Sequence, residues 1–329
     1  MDLVALLAIQ VLYAIASLAL ISVGLAIIFG MMRVINLAHG EFLMLGGYAA
    51  IVATSHGISI WLSMLVVAPI VVGIIGVIVE RTIIRFLYGR MIDTMLATWG
   101  LSLFLVGLTT AIFGNTTVGI SAPLGSFQIG AYRTSAYTLF VIAVAVVVLA
   151  AIFATMRWTR LGLIARGTMQ NANMAAALGV NPPRVYAITF GIGAALSGLA
   201  GAVLAPVSGV FPTIGVAYVA KSFITVIGGG AAILSGTVSA SALFGTINQL
   251  ATFATTPVFG EVALARRRHR PDPPAAARHH RPLLPERAVN ARALNLLGLG
   301  AGRRDWRRRS WCWCRACSNS TWCSNSRST

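Results

Sequence analysis

The chain has 329 residues, of which 57% are hydrophobic and only 10% charged, with a mean hydropathy of +0.82. That balance excludes an ordinary water-soluble domain and makes a bilayer the expected solvent, in which helices that satisfy their own backbone hydrogen bonds are the natural spanning elements. A formal net charge of +17 would suggest nucleic acid if it were spread evenly, but residues 1–264 carry nine Arg, one Lys and five acids, whereas residues 265–329 carry fifteen Arg, three acids and all four Cys.

In chain order the apolar runs predict spans over Val4 to Phe29, Phe42 to Ser55, Trp61 to Val79, Met95 to Phe113, Tyr137 to Thr155, Tyr186 to Leu204, Phe223 to Leu234 and Val238 to Phe253. The expected fold is all-α, a polytopic transmembrane helical bundle of about eight spans, those of fewer than about 17 residues being either re-entrant or extended by extra turns at their ends. Met1 to Leu12 lacks the basic start of a cleavable signal, so the first run reads as a span. Arg81, Arg85 and Arg90 form one basic cluster, and Arg157, Arg160, Arg166 and Arg184 another. The positive-inside rule puts both on the cytoplasmic side, with Met31 to Glu41 also inside, and Thr54 to Ile60 and the longer Gly114 to Ser135 connection outside.

Within Tyr186 to Leu204 the small residues Gly191, Ala194, Ala195, Gly198 and Ala202 recur at helical spacing, which allows a neighbouring helix to approach closely. Gly228, Gly229 and Gly230 interrupt the next run, and a broken helix in lipid is tolerated where it faces protein or a water-lined path. Those three glycines are therefore candidates for the translocation path. So are Asn36, His39 and Glu41, polar groups at the end of the first span, against the plainer reading of interface marking and helix capping.

Chemistry is not expected of the chain itself. The carboxylates are scattered singly, and no nucleophile, base and orienting group stand together, so there is no catalytic residue to name. Lys221, the only Lys, follows Val219 and Ala220 rather than a glycine loop, which argues against a nucleotide phosphate site. Residues 1–264 hold no Cys, and no metal or cofactor is expected.

The polar stretch 157–184 stands out between two apolar runs. It includes Arg166, Gln170, Asn171, Ala175, Ala176 and Gly179, and reads as a short amphipathic helix closed by a Gly and a Pro pair on the basic side of the membrane, a place for another protein to dock.

The run Met31-Met32-Arg33-Val34-Ile35-Asn36-Leu37-Ala38-His39-Gly40-Glu41-Phe42 resembles a signature of the branched-chain amino-acid ABC permeases of the LivH kind. Asp93-Thr94-Met95-Leu96-Ala97-Thr98-Trp99-Gly100 and Met174-Ala175-Ala176-Ala177-Leu178-Gly179 resemble two more, so the resemblance covers residues 1–264. Against the general importer loop Glu-Ala-Ala-x-x-x-Gly, Gly179 aligns, but Asn173 and Met174 replace Glu and the first Ala. The resemblance implies a multi-pass protein of the bacterial inner membrane that carries a branched-chain amino acid. It further implies a second, LivM-like permease, two cytoplasmic ATPase subunits seated on the 157–184 loop and a periplasmic solute-binding protein, with membrane lipid around them and no nucleic acid. Urea and short-amide importers share these signatures, including a pair like Gln170-Asn171, and remain an alternative. A stand-alone channel or ion-coupled carrier is a rival of another class, disfavoured because residues 1–264 hold only five acids.

Residues 265–329 are expected to be a tail rather than a domain, frameshifted and disordered, since the Arg/Pro/Cys-rich text has no helical or strand period. A basic arm would carry fewer Pro, and Cys312, Cys314, Cys317 and Cys323 lack the paired C-x2-C modules of structural zinc sites. Moved forward by one base, GC-rich codons for these residues can encode an apolar final span.

Overall fold

The computed structural model describes residues 2–255 except 130–131 and 231–232; the 265–329 tail lies outside the described residues. The architecture is helical, with one short exception in the connection between α5 (Met91–Phe113) and α6 (Ala136–Trp158). There β1 (Ser126–Ile129) pairs antiparallel with β2 (Tyr132–Ser135). The hairpin was not expected from composition, although Ser135 also has an ordinary capping role, its hydroxyl accepting the Tyr137 N–H at the start of α6.

The bundle is organised around α9 (Pro182–Ser208), whose most apolar window is 72% buried. It packs against α1 (Asp2–Met32), α2 (His39–Ser55) and α4 (Ala68–Thr82), which with the short α3 (Ile60–Leu62) before it makes one span candidate. The stripe of small residues accounts for this, because in lipid there is no hydrophobic drive between helices and close backbone approach must supply the attraction. Gly191 faces Val77, Gly198 faces Val72, and a side chain on Gly201 would overlap the Leu43 carbonyl oxygen. By contrast, α5 and α6 are peripheral, their windows 28% and 22% buried, and expose Trp99, Phe104, Val147 and Phe153. At the basic end the α4–α5 connection is tied to the start of α9: Tyr88 donates to the buried Glu80 carboxylate and its ring meets Tyr186 edge-on at 5.1 Å. Burial, with Glu80 as acceptor, pushes the Tyr88 phenol well above its ordinary range.

Two departures from the expected spans share one cause. Among the described residues five helices are long and apolar enough to cross a membrane, or up to six if α10 (Ile214–Gly229) and α11 (Ile233–Thr255), bent by 116°, count as one broken span. The span expected at Phe223 to Leu234 straddles that break, which falls after Gly229, with Gly230 at a φ of 69°. Its helix begins earlier, at Ile214, because Gly215 to Ser222 is helical despite carrying Lys221. Both α2 and α10 start inside the bundle rather than at its surface. After α1, Arg33 takes a φ of 51° and residues 33–38 return without helical structure until His39, whose ring reaches the Ile21 carbonyl. Ile21 lies eleven residues before Met32, roughly 16 Å back along α1 at 1.5 Å per residue. Met31 to Glu41 therefore does not stay at the inner surface, as the apolar runs alone suggest. The backbone of Gly40 in turn lies against that of Gly215, with no room for a Cβ on either side of the contact, so α2 and α10 begin close together.

Candidate functional site

Two groups of residues are candidates, one on the surface and one within the bundle. At the surface, α6 ends at Trp158 and Thr159 caps α7 (Arg160–Gln170) by accepting the Gly162 N–H at 3.1 Å. Helix α7 is fixed to the bundle by Gly162, Ala165 and Thr168, one buried residue per turn. Arg166 and Gln170 lie on its open side, and the Arg166 Nε donates to the Gly162 carbonyl at 3.3 Å.

Extended geometry at Asn171 breaks the helix, and its side chain then accepts the Met174 N–H at 3.0 Å to start α8 (Ala172–Ala177). The far end of α8 is closed by Gly179 at a φ of 86°. There the Gly179 N–H donates to Ala176 and the Val180 N–H reaches back to Ala175, both at 3.0 Å, the pair of bonds that satisfies the last carbonyls of a helix ending in a left-handed residue. Two residues on, Asn181 accepts the Arg184 N–H, and Pro182 and Pro183 occupy the first positions of α9. The segment is thus two short helices rather than the single amphipathic helix expected. Ala175 is buried and anchors α8, while Ala176 and Gly179 are exposed.

Sequence reasoning missed the most exposed apolar side chains of α8 and its closing turn, Met174 at 60% and Leu178 at 80%. Their signal was present as large apolar residues in an otherwise polar loop. Held on a capped helix, they form a fixed apolar projection at the basic end of the bundle.

Inside, Asn36, His39 and Glu41 are brought together at the start of α2, all at most 1% exposed. Asn36 Oδ1 accepts the Ala38 N–H at 3.0 Å. Leu37 N–H donates to Thr98 of α5 at 3.2 Å. His39 Nε2 lies 2.9 Å from the Ile21 carbonyl, so Nε2 is the donor and Nδ1 is left as acceptor. The single Ser197 hydroxyl hydrogen is then shared between that nitrogen, at 3.2 Å, and the Gly193 carbonyl, at 2.8 Å. Ser102 donates to Glu41 Oε1 at 3.0 Å. The Glu41 carboxylate sits in the first turn of α2 and against Gly215 in the first turn of α10, where the partial positive charges of two helix starts favour an acid. Asn36 Nδ2 and Glu41 Oε2 have no hydrogen-bond partner among the described residues. This cluster ties α1, α2, α5, α9 and α10 into one polar centre.

Gly228, Gly229 and Gly230 are elsewhere. Gly215 and Gly228 stand thirteen residues apart on α10, or roughly 20 Å. Gly228 lies under the Phe244 ring, and Gly229 packs on the backbone of Gly236, so both serve the α10–α11 corner.

Over residues 7–265 the chain matches the family described as the branched-chain amino acid transport system permease component. It is similar to the high-affinity branched-chain amino acid transport system permease protein LivH of Salmonella typhimurium (strain LT2), 30% identical over 250 residues, covering 71% of this chain and 81% of the relative. A similar match, 30% over 250 residues, covers 79% of BraD from Pseudomonas aeruginosa. A probable branched-chain amino acid transport permease LivH of Methanocaldococcus jannaschii is 25% identical over 254 residues. No solved structure matches the chain.

Proposed function

This chain belongs to the branched-chain amino acid transport system permease family, and from that membership we propose that it is one of two permease subunits of an ATP-driven importer for branched-chain amino acids. It spans the membrane several times and, in this reading, resides in the bacterial inner membrane. A periplasmic binding protein delivers the solute, and two cytoplasmic ATPases drive alternating access. The permease performs no chemistry; ATP hydrolysis belongs to its partners. The names of the relatives support an amino acid over urea or a short amide.

The observation that carries the coupling role is the capped α8 with Met174 and Leu178 projecting from the basic end. A rigid helix with two exposed apolar anchors fits a groove on a partner, because such anchors concentrate binding energy and lose little entropy on docking. Arg166 and Gln170 flank this contact on α7, while Asn171 and Gly179 set its geometry. Asn36, His39 and Glu41 are proposed to hold the half-helices that border the path rather than to meet the solute directly.

Replacing both Met174 and Leu178 with Asp leaves the bundle intact, since neither is buried. The expected result is loss of ATPase co-purification and a fall in leucine uptake of at least about tenfold, the equivalent of about 1.4 kcal/mol of docking energy. A double variant that still retains the ATPase and transports normally overturns the docking role.

The family match stops at residue 265, where the text changes to the Arg-, Pro- and Cys-rich tail. This supports reading 265–329 as an out-of-frame product that replaces a final span. Sequencing the genomic locus is expected to restore an apolar frame at codon 265 beside genes for a second permease, ATPases and a binding protein; an intact shifted frame rejects it.

A further inference from the structure

Three cavities differ sharply in chemistry. The one of about 280 Å³ between α1, α6, α7 and α9 is lined by apolar side chains apart from Thr155 and Thr189, and one of about 510 Å³ between α4 and α9 has no polar side chain at all. The third, about 520 Å³ between α1, α10 and α11, is lined by Gln10, Ser17, Lys221, Thr225, Asn248 and Gln249 along with apolar neighbours. Two greasy clefts suit lipid or helix packing; the third suits water and a polar solute.

Lys221 gives that cavity its character. It is the only lysine of the chain and sits within α10, and no carboxylate of the described residues pairs with it. Its depth follows from its neighbour: the Ser222 hydroxyl donates to the Ile21 carbonyl at 3.2 Å, about two thirds of the way along α1. A lysine whose backbone lies at that level, with its side chain exposed, is expensive in lipid unless it faces water or a counter-charge, and such a residue marks a solute or ion path by default. The same Ile21 carbonyl accepts His39, so the cavity wall and the polar centre are joined through one backbone group.

We propose that this cavity is the chain's part of the solute path and that Lys221 receives the carboxylate of the transported amino acid in transit, with the amides of Gln10, Asn248 and Gln249 taking the place of its water. The inference rests on the importer reading above and deepens it. A single cation offers an anionic group one strong contact, while exchangeable neutral groups around it keep the site from becoming a trap. The preceding residues Val219 and Ala220 exclude a phosphate loop, so the lysine is free for this role.

The test uses the assembled transporter with its binding protein in proteoliposomes, with radiolabelled leucine and, separately, acetamide and urea as probes. Leucine translocated per ATP hydrolysed is read at equal amounts of assembled complex for the parent, Lys221→Met and Lys221→Arg. The expected result is a fall of tenfold or more for Lys221→Met, recovery to within about threefold for Lys221→Arg, and an unchanged apparent KM for the loaded binding protein. A purely structural lysine would lower the amount of complex and leave the ratio unchanged, and that outcome overturns the assignment. Should Lys221→Met not assemble, Asn248→Leu with Gln249→Leu is read in the same assay, and an unaltered ratio there overturns it too. If the parent carries acetamide or urea but not leucine, the amino-acid reading and the carboxylate contact both fail; if it carries leucine and Lys221→Met does so equally, only the contact fails.

Discussion

Gly201→Val is expected to abolish accumulation of folded protein in the membrane. A Cβ at this position would overlap the Leu43 carbonyl oxygen and crowd the rest of that residue's backbone, in the second turn of α2. Overfilling against side chains usually costs about 1–3 kcal/mol because rotamers can yield. Here nothing can turn aside, and α2 must move away from α9, taking Phe42, Leu43 and Met44, each at most 1% exposed, out of contact. The loss should exceed about 4 kcal/mol, a large share of the 5–15 kcal/mol that holds a typical domain folded. Gly107→Ala provides the contrast, since nothing lies within 4 Å of a Cβ there. Immunoblots of the membrane fraction and melting curves in detergent report both; if Gly201→Val matches Gly107→Ala in yield and Tm, the packing account of α9 is wrong.

The second large effect is expected at Gly179→Pro, and it should appear in transport rather than in stability of the bundle. Proline fixes φ near −65°, whereas Gly179 has a φ of 86°, and it removes the N–H that donates to Ala176. The end of α8 must therefore rearrange at a cost of about 3 kcal/mol or more, and Leu178 with it. Because α8 is only six residues long and Gly179 is exposed, the transmembrane core is spared. The expected result is a normally assembled permease in which solute-stimulated ATP hydrolysis no longer yields transport, uptake falling by at least about tenfold. Unchanged solute-stimulated ATPase and uptake in the complete transporter would remove α8 from the coupling route. Gly179→Ala, strained but able to keep its N–H, should fall between the two.

Much of this protein was legible along the chain because the physics involved is local. Small residues at helical spacing identify α9 as the helix others pack against, and the glycine and proline that close the 157–184 segment are where the structure uses them. What was not legible is depth. The short apolar runs of α2 and α10 fit either a re-entrant segment or a span with extra turns, and nothing local decides between them, while Asn36 to Glu41 look like an inner surface. Contacts that no local pattern reveals, His39 with the Ile21 carbonyl and with Ser197 among them, fix the level at which α2 begins. Lys221 shows the same limit. Read locally it only argues against a phosphate loop, while the amides that share its cavity come from both ends of the described chain. Conversely, the glycines 228–230 have a conspicuous local signal, and the structure uses them for a helix corner.

The pairing of His39 with Ser197 also bears on how the protein is made. The two residues are 158 positions apart, so when the first helices leave the ribosome the imidazole has only half of its polar contacts. At synthesis rates of about 5–20 residues per second, that interval lasts roughly 8–30 s. Until α9 arrives, the start of α2 carries a histidine and a glutamate into a membrane that offers them little, which favours a waiting state near the insertion machinery over early release into lipid. The polar centre thus makes the N-terminal helices dependent on the later ones, and completion of the bundle a single late event rather than a helix-by-helix accumulation.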